Sequence, residues 1–205
     1  MSNLPKISAM TREDYIKYPA VSASRIKRFY TGDISYAKAS LNYGKDFHYS
    51  LLECDYSEMG DAVRNTYDAI HQVELLGELF DKSEKERIVV SELTVGGKTV
   101  LAKGAMDICW DEMKIIADVK TTTAKNLQAF ADDMIKHFNH VQAVWYCMLM
   151  GWDPKDFYYI GVPPKVKKSG QFKDLYLYRH NQQELDHAFQ LIAGFLNQFD
   201  GNYGK

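Results

Sequence analysis

Three carboxylates, Glu92, Asp107 and Asp118, stand inside runs rich in β-branched and apolar residues, where acidic side chains are depleted. Each alone reads equally well as a surface-edge carboxylate. The triplet Asp118-Val119-Lys120 tips the balance. Side chains alternate across a strand, so Asp118 and Lys120 share one face, about 7 Å apart along the chain. Such a pair suits a metal ligand beside a cation. Asp107 lies one strand earlier, and a meander brings it alongside Asp118, giving two hard oxygen ligands for magnesium or manganese. Lys120 can then orient or deprotonate a water, or neutralise charge on a phosphate under attack. Further along, Gln142 and Tyr146 are spaced i, i+4 and share one helix face.

The elements that must hold these groups follow from the periodicity. Residues 1–20 are polar with two prolines and read as an irregular arm. Ser22 or Ser24 caps a short basic helix through Arg25 to Tyr30, and further helices are expected over 44–53 and 61–80. From Arg87 the pattern turns to β: a strand to Val95, a tight turn at Gly96-Gly97, a second strand to Trp110, and a third over 114–120. Helices over 124–136 and 138–150 follow, then strands over 157–162 and 175–179 and a closing helix over 182–199. The order predicts one α/β domain, a central mixed sheet flanked by helices: a helical part over 21–85 and a sheet core over 86–205.

Composition narrows the function classes. The chain has 205 residues, 46% hydrophobic and 25% charged, which is ordinary for a globular protein and excludes disorder or repeats. No apolar run reaches the length of a membrane span, and the first residues lack the layout of a signal peptide, so a cytoplasmic protein without membrane attachment is expected. Cys54, Cys109 and Cys147 sit among apolar neighbours without a CxxC pair, and read as buried thiols. With 25 Lys+Arg against 27 Asp+Glu the net charge is −2, so any nucleic-acid binding must rest on a local basic patch. Candidates for phosphate contacts are Arg25, Lys27, Arg28, Lys103, Lys125 and the loop Lys165, Lys167 and Lys168.

The ordered set Gly44-Lys-Asp-Phe-His48, Glu92, Gly104-Ala-Met-Asp107, Ile115-Ile-Ala-Asp118-Val-Lys120-Thr-Thr and His140-Val-Gln142-Ala-Val-Trp-Tyr146 resembles the PD-(D/E)XK nuclease superfamily. The resemblance is to the branch containing the RecB nuclease domain and the phage exonuclease VIII (RecE-like) enzymes, and it covers roughly residues 15–160. Tyr18-Pro-Ala-Val-Ser22-Ala-Ser24-Arg-Ile-Lys27 is similar to the start of those phage enzymes. The proline of the superfamily name is replaced by Met106, at a position the family varies freely. The resemblance implies a restriction-endonuclease-like fold in which His48, Asp107, Asp118 and the Val119 carbonyl bind the divalent metal. It also implies Lys120 as the catalytic lysine, Glu92 as holder of a second metal or a water, and Gln142 and Tyr146 beside the metal, touching nucleic acid or steadying the site.

The function that follows is a magnesium- or manganese-dependent DNA exonuclease acting on duplex ends, of phage or prophage recombination. Relatives form rings around DNA and work with a single-strand annealing recombinase, so a ring-shaped homo-oligomer and such a partner are implied by analogy. A structure-specific endonuclease of the same superfamily, a catalytically dead DNA-binding module and an unrelated phage structural protein are the alternatives.

Overall fold

The thirteen-residue strand at the centre of the sheet carries the pattern the sequence predicts, and its three neighbours decide where chemistry can occur. In the computed structural model, which describes residues 10–32, 38–163 and 171–202, the elements run α1 (Arg12–Lys17), β1 (Val21–Ser22), α2 (Ala23–Thr31), α3 (Lys38–Glu53), α4 (Asp61–His71), α5 (Glu74–Lys82), β2 (Glu84–Val95), β3 (Lys98–Trp110), β4 (Ile115–Thr121), α6 (Leu127–Lys136), α7 (Asn139–Met150), β5 (Phe157–Val162), β6 (Tyr176–Tyr178) and α8 (Gln182–Gln198). Lys165, Lys167 and Lys168 lie outside the described residues. No described helix is long and apolar enough to cross a membrane.

The fold is the expected α/β architecture: a mixed sheet between helical layers, with a largely helical N-terminal part. β2 and β3 form a long antiparallel hairpin from Glu84↔Cys109 to Val95↔Lys98. Gly96 and Gly97 close it at φ 57° and 80°, the left-handed pair that a two-residue hairpin turn requires. The other edge of β3 is shared. β4 pairs antiparallel only with Ile108 to Trp110, while β1 pairs parallel with Ala102 and Lys103. β4 continues parallel to β5 through the α6–α7 crossover, and β6 closes the sheet antiparallel to β5.

Two cores sandwich the sheet. On one face Met106, Ile116, Phe130, Trp145 and Tyr159 pack under α6, α7, α2 and α8; on the other Phe47, Leu51, Ile70, Phe80, Ile108 and Val119 pack under α3, α4 and α5. α7 is buried nearly all round, as a helix pressed between sheet and helices must be. Its Trp145 Nε1 donates to the Lys103 carbonyl at 3.1 Å, which fixes its register on β3.

Two expectations change. The 61–80 helix is two helices meeting at Gln72–Val73, because both bury their apolar stripe in the same core and the period runs through the break. Gly77 lets them cross closely: a Cβ there would lie 3.1 Å from the His71 ring. The N-terminal arm, where described, is ordered: Thr11 caps α1 by accepting from the Asp14 N–H at 3.1 Å, and β1 joins the sheet.

Candidate metal centre

The site grows from the divergence of β3 and β4. Their ladder ends at Ile108↔Ala117, so beyond it the strands are no longer paired with each other. Asp107 spans the opening: its Oδ2 accepts from the Val119 N–H at 2.9 Å. Nearby, the Ala105 N–H donates to the Tyr146 hydroxyl oxygen. Side chains therefore satisfy backbone groups that a closed ladder would have paired.

Opposite Asp107, between the Lys85↔Ile108 and Arg87↔Met106 pairs, stands Glu86 at φ 51°. A left-handed glutamate within a strand costs roughly 1–2 kcal/mol, and such strain concentrates at functional positions. The pleat changes phase here. Val100, Ala102 and Met106 pack on the α7 side, whereas Ile108 and Trp110 pack on the other. From α3, His48 Nδ1 comes to 3.3 Å from Asp107 Oδ2. His48, Glu86 and Asp107 each offer a ligand atom within 4.8 Å of the others.

Asp118 and Lys120 lie beside this group on the shared β4 face. Asp118 is 2% exposed. Its Oδ1 accepts from Gln142 Nε2 at 2.6 Å, and its Oδ2 lies 2.5 Å from Lys120 Nζ. That ion pair lacks hydrogen-bond alignment, so among the described residues this buried carboxylate oxygen has no directed donor. An oxygen in that state is suited to a cation.

The charges are crowded. Burial and the Asp118 carboxylate push Asp107 up to about 6, against the opposing pull of His48 and Lys120. Burial, then Asp107, push Glu86 up to about 7, while Arg12 opposes the rise and Glu53 and Asp118 add to it. A divalent ion would relieve this repulsion, and one imidazole with several carboxylates is a donor set that magnesium or manganese accepts. Tyr146, buried against β3, is pushed well above its ordinary value, chiefly by burial, and stays a hydroxyl. Gly104 makes room for it, since a Cβ there would lie 3.0 Å from the ring.

The structure thus brings together His48, Asp107, Asp118, Lys120, Gln142 and Tyr146. Val119 contributes its N–H to Asp107. Lys27 is adjacent: it donates to Asn139 Oδ1 at 2.7 Å, and burial together with the charge of Lys120 pushes it down to about 8. Other expectations are corrected. Glu92 is exposed and faces Leu101, six residues along β2 from Glu86, which is about 20 Å of strand. The β2 carboxylate near His48 and Asp107 is Glu86. Lys103 is buried and donates to the carbonyls of Tyr15 at 2.6 Å and Tyr18 at 2.8 Å, so it anchors α1 and is not available to a phosphate. Arg25 spends its guanidinium on the Asn202 carbonyl and the Phe199 ring, and it lines a groove with Arg28 at the far side of α2. Lys125 is exposed just before the α6 cap, Asn126. Sequence reasoning missed Glu86, and also Arg12, whose Nη1 donates to Glu86 Oε2.

No protein-family model matches the chain, and no curated protein matches it in sequence. Among solved structures, that of a provisionally named exonuclease from Eubacterium rectale is similar at a TM-score of 0.59 and 12% identity, over 92% of this chain and 84% of that one. The structure of SSO0001 overlaps 87% of this chain and 85% of its own at 15% identity, with a TM-score of 0.39. The first likeness is one of fold.

Proposed function

We propose that the chain is a divalent-metal-dependent deoxyribonuclease of the PD-(D/E)XK superfamily, in its RecB-like and RecE-like branch, and that it degrades duplex DNA from its ends. The observation that carries this reading is the convergence of His48, Glu86 and Asp107 next to an Asp118–Lys120 pair where β3 and β4 part. The name of the Eubacterium rectale neighbour and the opening segment of this sequence favour an exonuclease over an endonuclease.

His48, Asp107 and Asp118 would hold the ion, with Glu86 as a further carboxylate. A magnesium or manganese ion there supplies charge stabilisation at the scissile phosphate and acidifies water. The chain's own groups do the rest. Gln142 donates to Asp118 Oδ1 and fixes the carboxylate plane. Lys120 presents an ammonium on the face where phosphate charge builds up, and such preorganised charge acts on the transition state more than on the bound substrate. Lys27 adds positive potential from behind, which a net-acidic chain needs locally to attract a polyanion. On the same reading the setting is cytoplasmic DNA recombination, with a single-strand annealing protein and a ring-shaped homo-oligomer as the partners to look for.

The test is digestion of end-labelled linear duplex and covalently closed circles, with magnesium and with chelator. Progressive loss of the linear DNA alone, abolished by chelator, is expected. Rapid linearisation of the circle would favour an endonuclease, and metal-independent or absent cleavage would overturn the reading.

A further inference from the structure

We propose that Arg12 is a substrate-binding residue whose guanidinium rests on Glu86 in the free protein and holds a backbone phosphate of the nucleic acid when DNA occupies the cleft. This inference rests on the nuclease reading above and deepens it, since none of the motifs that carry that reading includes a residue of α1.

α1 is fixed from the core side: the buried Lys103 ammonium donates to the carbonyls of Tyr15, Ile16 and Tyr18, and it lies 4.7 Å from the Tyr15 ring centroid. Glu13 and Lys17 pair with each other at 2.6 Å along the helix. Arg12 is therefore not what holds α1 in place. Its side chain is 64% exposed, while the Glu86 it touches is 19% exposed and faces His48 and Asp107. The guanidinium caps the solvent side of the carboxylate cluster.

Among the described residues the contact with Glu86 uses one Nη of a planar group with five donors, on a largely exposed side chain. An exposed arginine fork matches phosphate geometry and binds it bidentately. Glu86, Asp107 and Asp118 together would repel an incoming phosphodiester, so a cation at their rim is needed on the approach side. Arg12 touches Glu86, which stands opposite Asp107 on β2, and Lys120 reaches Asp118 on β4. On this proposal a phosphate brought to the cluster meets both cations. A divalent ion held by Glu86 would compete with the guanidinium for that carboxylate, and a phosphate would take up the donors so freed.

The experiment measures anisotropy of a short labelled duplex with calcium in place of magnesium, alongside manganese calorimetry without DNA. Arg12→Gln is expected to bind DNA about tenfold more weakly, the size of one lost charge-assisted contact, and to bind manganese as well as or better than wild type. Arg12→Lys should recover part of the DNA affinity. Lys17→Gln, which removes the same charge from the same helix, should stay within twofold of wild type. DNA binding by Arg12→Gln within twofold of wild type overturns the proposal, as does an equal loss in Lys17→Gln. Manganese binding that weakens in Arg12→Gln also overturns it, because Arg12 would then act by holding Glu86. If wild type binds neither duplex nor manganese, the nuclease reading itself fails.

Discussion

Replacing Glu86 by glycine should make the metal-free protein more stable while weakening its hold on a cation. In the native state Glu86 is raised to about 7 by burial and by its carboxylate neighbours, against an ordinary value of 4.5. Between those values the native protein keeps a proton that the unfolded chain has lost, so this residue makes stability fall as pH rises from about 4.5 to about 7. The full shift corresponds to about 3 kcal/mol at pH 8. The side chain is 19% exposed and relaxation of Asp107 shares the cost, so about 2 kcal/mol is a fair expectation. The Arg12 contact is already contained in that figure. At φ 51° glycine also removes the left-handed penalty, but its extra freedom in the unfolded chain offsets roughly 0.5–1 kcal/mol of the gain. Glu86→Gly should therefore exceed wild type by about 2 kcal/mol at pH 8 and by well under 1 kcal/mol at pH 4.5. Glu86→Ala, which keeps the backbone strain, should fall about 1 kcal/mol below the glycine variant. Urea unfolding in chelator at both pH values measures these differences. With excess manganese the order should reverse, since wild type gains more binding energy than the variant. The reasoning is refuted if Glu86→Gly is the less stable protein at pH 8 in chelator, or if manganese stabilises both equally.

Lys120→Ala should keep its fold and manganese binding yet lose at least about a hundredfold in cleavage rate, read as kcat against KM on linear duplex. His140 is 1% exposed and, among the described residues, neither ring nitrogen has a hydrogen-bond partner; burial, with His180, His187 and Lys27 nearby and Glu184 opposing, pushes it down to about 4. Its folded value lies below 6.5, so it should cost wild type about 3 kcal/mol as pH falls from 6.5 to about 4, and His140→Leu, compared by urea unfolding at both ends, should lack that loss. In Gly104→Ala a Cβ would lie 2.8 Å from Leu149 Cδ1 and 3.0 Å from the Tyr146 ring, so a loss of about 1–3 kcal/mol is expected in the same assay.

What could be read from the sequence was what local periodicity controls. Asp118 and Lys120 share a face because strands alternate, and Gln142 and Tyr146 because helices repeat. The strand and helix that carry them emerged close to their expected bounds. Glu86 stayed hidden for a physical reason. It sits in Ser83-Glu-Lys-Glu-Arg87, which resembles a solvated charged run, and its role depends on a left-handed backbone that no propensity assigns to glutamate. Glu92 has the right alternation but the wrong register, and register is a property of the paired strand, not of the run itself. Lys103 looked like a phosphate contact because its burial depends on carbonyls of a helix 85 to 88 residues earlier.

On the proposed reading Asp107 would do two jobs: its carboxylate groups with His48 and Glu86 as a candidate cation ligand, and its Oδ2 accepts from the Val119 amide. Occupancy of the site and the backbone of β4 are thereby coupled through a single hydrogen bond. Electron density drawn from the carboxylate by an ion is withdrawn from that bond, so the Val119 amide proton resonance should move on loading more than those of Ile116 or Ala117, whose strand is tied into regular ladders. On that reading the Val119 amide is a spectroscopic reporter of an occupied site, buried in the sheet and needing no label on the DNA.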